Sequence, residues 1–175
     1  EPNLVWNVPG PRVVRGSTST SRRLAHCNSS QGFDVAIEGQ RRMVHSSAAS
    51  RVLVIDDEAA VRASVCGILS DVGYIVAEAG DGVAGIDSLR SSAADAVVMD
   101  IYMPLRDGFE TIRELRRVAP HVRIIAISGA TRGDFDPLRA AEMLGADRAL
   151  RKPFAVEELL AALTEVLSDA PLLQQ

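Results

Sequence analysis

Four short apolar runs and a weaker fifth segment, each followed by a helical repeat, constrain this chain from residue 51 onward. RVLVI at 51–55 is continuous and rich in β-branched residues, the mark of a strand buried on both faces. The stretch after it, DDEAAVRASVCGILSDVG, sets Val61, Val65, Ile68, Leu69 and Val72 at helical spacing, with Gly73 as its stop. The alternation then repeats. Strands are expected at 74–79 (YIVAEA), 95–100 (DAVVMD), 122–128 (VRIIAIS) and, more weakly, 147–151 (DRALR). Helices are expected at 81–92, 107–118, 137–144 and 155–168. Asp136 is a natural N-cap for the fourth helix and Pro137 its first residue. Five βα units with short connections predict an α/β fold, a doubly wound parallel sheet with helices on both faces.

The first fifty residues have a different character. PGPRVVRGSTSTSRRLAHCNSSQG is Pro, Gly, Ser, Thr and Arg without a sustained period, and GFDVAIEG is a possible short strand with no evident partner. Residues 1–50 are therefore expected to be a largely disordered arm and 51–170 the folded domain. The chain opens on Glu1 and not Met, which is compatible with a fragment or with a reading frame extended upstream of a start at Met43. The arm carries six arginines against three acidic residues, whereas 51–175 holds 13 basic and 20 acidic groups, a local −7. An acidic folded part argues against nucleic acid as a direct ligand. No apolar run approaches the roughly 20 residues that span a bilayer, so a soluble, cytoplasmic protein without membrane insertion is expected. Cys27 and Cys66 have no metal-ligand spacing and read as free thiols.

In an open parallel sheet, ligands sit outside the carboxyl ends of the strands, where strand order reverses. The residues there are Asp56 and Asp57 after the first strand, Asp100 at the third, Ser128 at the fourth and Lys152 after the fifth; the second ends in nothing comparable. In the flavodoxin-like order 2-1-3-4-5, strands 1 and 3 are neighbours about 4.8 Å apart, so these side chains converge on one rim. Singly each has an ordinary explanation as a cap, a loop partner or a solvated surface group. Together they do not. Three crowded carboxylates repel one another and need a cation to stay ionised, and Mg²⁺ prefers one or two carboxylates plus waters and a phosphoryl oxygen. Lys152 is the only lysine in a chain whose other cations are arginines, and it offers a slim point charge where a planar guanidinium would be bulky. Ser128 adds a neutral donor. Such a rim suits a phosphoryl group.

The segments VLVIDDE, VVMDIYMPLRDGFE, IIAISGA and LRKPF, in this order and at these separations, closely resemble the receiver domain of bacterial two-component response regulators, over about 51–170. The resemblance implies that Asp100 is the phosphoacceptor, attacking a phosphohistidine of a sensor kinase or phosphotransfer protein. It implies that Asp57, with Asp56 largely through water, the Asp100 carboxylate and the backbone carbonyl of Tyr102 hold Mg²⁺. Lys152 would pair with Asp100 at rest and with the phosphoryl group afterwards, and Ser128 would move to hydrogen-bond that group. Gly129 would leave room for it, while Met103-Pro104 and Asp107-Gly108 shape the loop after the third strand. A cis Lys152–Pro153 bond is expected by the same analogy.

One position departs from the family pattern. Three residues before the lysine the family usually carries Tyr or Phe, and this chain has Ala149. Output is therefore expected to use the segment TRGDFD with Phe135, or the face of the first helix. Only SDAPLLQQ follows the last helix, so, read as a whole chain, this is a stand-alone receiver that accepts a phosphoryl group without being a turnover enzyme and acts by binding a downstream protein or relaying the group. The alternatives are a receiver segment of a hybrid histidine kinase and a pseudo-receiver that binds constitutively. A phosphatase resembling the haloacid dehalogenase family would need Asp-x-Asp after the first strand, where the text is DDE, and a flavin carrier would need a Ser/Thr/Gly phosphate loop there.

Overall fold

The computed structural model describes residues 6–7, 49–103, 107–129 and 135–168. Apart from Trp6, Asn7, Ala49 and Ser50, the predicted arm lies outside these residues, as do the possible strand GFDVAIEG and Cys27. Strand and helix alternate as β1 (Arg51–Ile55), α1 (Ala59–Asp71), β2 (Ile75–Ala79), α2 (Gly82–Ser91), β3 (Ala96–Asp100), α3 (Gly108–Val118), β4 (Arg123–Ser128), α4 (Pro137–Met143), β5 (Arg148–Arg151) and α5 (Val156–Ser168). The five strands are parallel, in the order β2-β1-β3-β4-β5. Each expected element is present, with its ends within about two residues of the expectation, the usual scatter of helix and strand boundaries.

The continuous apolar runs follow from a sheet covered on both faces. Successive side chains alternate, so Val52 and Val54 join a core with Val65 and Leu69 of α1 and Leu159 and Leu163 of α5. Leu53 and Ile55 point the other way, into a core with Ile86 of α2, Ile112 and Leu115 of α3 and Ala141 of α4. Burying a side chain of this size stabilises the fold by about 1.5–3 kcal/mol. Helix ends are set by local chemistry. Asp81, Asp107 and Asp136 accept backbone N–H groups at the starts of α2, α3 and α4, and Gly73 takes φ +100° after α1.

The weakly predicted β5 sits at an edge and is held by charge as much as by burial. Asp147, just before it, accepts from Arg116 (2.6 Å), Arg123 (3.1 Å) and the amide of Ile124 (2.8 Å), tying α3 and β4 to the start of β5. At the opposite edge, Asn7 forms an antiparallel bridge to Val76 of β2. Among the described residues, no helix is long and apolar enough to cross a membrane.

Candidate functional site

Strand register assembles the site. Ile55 of β1 is paired with Met99 of β3, so the residues that follow, Asp56 and Asp100, leave the sheet side by side. Ser128 ends β4 opposite Arg151 of β5, and its carbonyl accepts the amide of Lys152 at 2.8 Å. That bond aims the lysine back across the rim. Its Nζ lies 2.6 Å from Asp100 Oδ2 and 3.0 Å from Asp56 Oδ2. One carboxylate oxygen from each of Asp56, Asp57 and Asp100 lies within 4.8 Å of the other two, with Asp56 buried, Asp57 exposed and Asp100 between. The Lys152–Pro153 peptide is cis.

The remaining oxygens of the two inner carboxylates are held by backbone. Asp56 Oδ1 accepts the amide of Glu58 (2.8 Å) and Asp100 Oδ1 that of Tyr102 (3.1 Å), so each carboxylate also closes its own loop. Glycine is required at 108, where α3 starts against that loop. A Cβ there would lie 2.5 Å from Ile101 Cα and 2.6 Å from its carbonyl oxygen, while the Gly108 amide donates to that carbonyl at 2.9 Å. Met103 is buried in the core beside Ile101. Pro104, with Leu105 and Arg106, lies outside the described residues.

The ammonium of Lys152 feels two opposed influences. Burial, the largest single one, disfavours its charge. The hydrogen bonds and charges of Asp100 and Asp56 together outweigh burial and hold its pKa above the ordinary value. Three ionised carboxylates against one ammonium leave a formal charge of −2, and all the acidic donors are hard oxygens. That set fits a divalent ion such as Mg²⁺ and would not suit a soft metal.

The expected site residues fall into two groups. Asp56, Asp57, Asp100 and Lys152 come together directly. Ser128, fully buried, stands on the adjoining strand and reaches the group through its backbone bond to Lys152, and Tyr102 reaches it through its amide. Gly129 passes close to the lysine stem, since a Cβ there would be 3.4 Å from Lys152 Cβ. Two contacts were not anticipated. Asp56 shares the lysine with Asp100, and Arg62 of α1 donates to the Asp56 carbonyl (2.6 Å) and to Glu78 (3.2 Å), fixing the turn out of β1. The only sequence signal for Arg62 is its place one turn into α1, facing the acidic end of β2.

Ala149 lies on β5 in register with Ala126, so no ring occupies the position that is aromatic in the family. Phe135 is half-exposed, and its ring meets that of Phe109 edge to face at 6.0 Å. Residues 131–134 of TRGDFD lie outside the described residues.

Comparison with known proteins gives one answer. The family model for the response regulator receiver domain matches residues 52–164. Response regulator MprA of Mycobacterium avium is 42% identical over 117 residues, covering 67% of this chain and 50% of the relative. The chain thus spans about half the length of the curated relatives it matches. Among solved structures, chemotaxis protein CheY4 of Vibrio cholerae is similar with a TM-score of 0.62 and 30% identity, over 68% of this chain and 99% of that one. The receiver domain of NtrX from Brucella abortus gives a TM-score of 0.63 and 29% identity, over 67% and 98%.

Proposed function

Because the chain belongs to the response regulator receiver domain family, and so to two-component signalling, we propose that it accepts a phosphoryl group on Asp100 from a phosphohistidine of a sensor histidine kinase or histidine phosphotransfer protein. The observation that supports this most is the Lys152 ammonium, 2.6 Å from Asp100, on a rim that also gathers Asp56 and Asp57.

An Asp100 oxygen attacks phosphorus. The new O–P bond forms as the P–N bond to the partner imidazole breaks, and the imidazole leaves with the electron pair and takes up a proton. Phosphoryl transfer asks mainly for alignment and for neutralisation of oxygen charge. The chain aligns its nucleophile with the Tyr102 amide and the Lys152 ammonium, which hold one oxygen each. Lys152 then turns its charge to the phosphoryl oxygens, and Ser128 moves to donate its hydroxyl. Asp56, Asp57, Asp100 and the Tyr102 carbonyl would hold Mg²⁺, which when bound offsets the charge on those oxygens. The same array orients water on the acyl phosphate, so the mark limits itself and the chain is not a turnover enzyme. Each event adds about −1.5 to −2 charges to the rim, and the new Ser128 and Lys152 contacts bias partner binding or onward relay.

Borohydride reduction after treatment with a small phosphodonor, followed by peptide mapping, tests the assignment. Reduction of an acyl phosphate converts the modified aspartate alone to homoserine. The reading expects conversion at 100 and is refuted by conversion at 56 or 57 instead.

A further inference from the structure

The end of the sheet away from the acidic rim carries a second assembly. Trp6, partly buried, lays its ring under the Arg51 guanidinium, whose central carbon is 4.3 Å from the ring centroid. The indole N–H donates to Ser92 Oγ at 2.9 Å, and Arg51 donates to the same oxygen at 3.1 Å. Trp6 also packs against the core that contains Ile86 and Ala77. Beside it, Asn7 and Val76 exchange both backbone bonds, Asn7 N to Val76 O at 2.8 Å and Val76 N to Asn7 O at 3.4 Å.

These contacts do separate jobs. β2 is an edge strand, and its outward N–H and C=O groups are a template for any extended segment. Backbone pairing by itself is indifferent to sequence; side-chain pockets supply selectivity in strand addition. Here the pocket is specific in two ways. Arg51 offers a cation over an aromatic face, and Ser92 offers an acceptor that only a ring with an N–H can use.

We propose that the outer edge of β2, with the notch formed by Arg51 and Ser92, is a docking site for an extended Trp-Asn segment, filled by this chain's own residues 6–7. The occupant is covalently tethered through residues 8–48, and tethering supplies effective concentrations up to about the millimolar range, so a modest intrinsic affinity keeps the site filled. Filling it satisfies the Val76 amide and closes that part of the edge to a strand from another molecule. Arg51 opens β1 and Asp56 follows its end, so the notch is about 16 Å from the acidic rim at roughly 3.3 Å per residue. Docking and phosphoryl acceptance therefore stand or fall separately.

Amide hydrogen exchange on the full chain tests this. The Val76 amide exchanges at least about tenfold more slowly in the wild type than in Trp6→Ala, with Leu53 and Val97 amides unchanged as a folding control. Trp6→Phe, which keeps the ring over Arg51 but loses the N–H, falls between them. Because Trp6 is the only tryptophan, acrylamide quenching reads the same site, with a shielded indole in the wild type and a more accessible one in Ser92→Ala. Equal Val76 exchange in wild type and Trp6→Ala, or an indole quenched like the free amino acid, overturns the proposal. Protection that disappears on dilution overturns it too, since the segment would then come from a second copy.

Discussion

Lys152 and Asp100 are joined by a 2.6 Å hydrogen bond, and the same ammonium reaches Asp56 at 3.0 Å, so one cation from the end of β5 bridges carboxylates from β3 and β1. The bridge spans four neighbouring strands, β1, β3, β4 and β5, and depends on the register of each.

Removing that cation has a kinetic and a pH consequence. Lys152→Met should slow phosphoryl acceptance about 10²–10³-fold, the usual loss for one transition-state donor, in a time course of adduct formation. The folded-state pKa of Lys152 is raised above its ordinary value, so its contribution to stability is fully present below the unfolded lysine value of about 10.4 and is lost as pH rises through the folded value. Urea midpoints should therefore fall on the alkaline side, with that part of the fall absent from Lys152→Met.

Gly108→Ala should cost about 3 kcal/mol, because the added methyl meets the backbone of Ile101, which cannot step aside as a flexible side chain would. Denaturant unfolding measures this directly. A loss below about 0.5 kcal/mol would mean that α3 can shift away from the loop after β3 without strain.

The residues explain why so much of the fold was legible. VLVI, AVVM and IIAI are apolar at every position, which leaves them no stable place except between two layers of helices, and Asp56, Asp100 and Ser128 follow directly where those runs end. The site was legible because register is inherited from the strands. What escaped were contacts made by long side chains across elements. Nothing in the spacing of Arg116, Arg123 and Asp147 announces that they meet, nor that Arg62 would reach the Asp56 carbonyl. Trp6 escaped for a different reason. It sits in the short run LVWNV, too brief to show a helical or strand period, and the two backbone bonds in this stretch go from Asn7 to a distant edge.

Asp57 is the exposed member of the acidic cluster, and the Lys152 bonds go to the other two. Asp57→Asn should therefore weaken Mg²⁺ binding by at least about tenfold, or 1.4 kcal/mol, while leaving thermal stability nearly unchanged. Calorimetric titration with MgCl₂ checks the affinity. An unaltered affinity would remove Asp57 from the proposed metal site.

With Ala at 149, the expected output segment is the one that carries Phe135, which is half-exposed and edge-on to Phe109. Saturating beryllofluoride and Mg²⁺ should shift the Phe135 ring resonances by more than those of Phe154. Unchanged Phe135 resonances would direct attention to the face of α1 as the output surface.

The central claim is that Asp100 is the acceptor. Intact-mass spectrometry after incubation with acetyl phosphate, with and without Mg²⁺, on the wild type and Asp100→Asn tests it most directly. The account predicts one phosphoryl adduct in the wild type that requires Mg²⁺ and is absent from Asp100→Asn. An adduct that persists in Asp100→Asn, or none in a folded wild type that binds Mg²⁺, would contradict it.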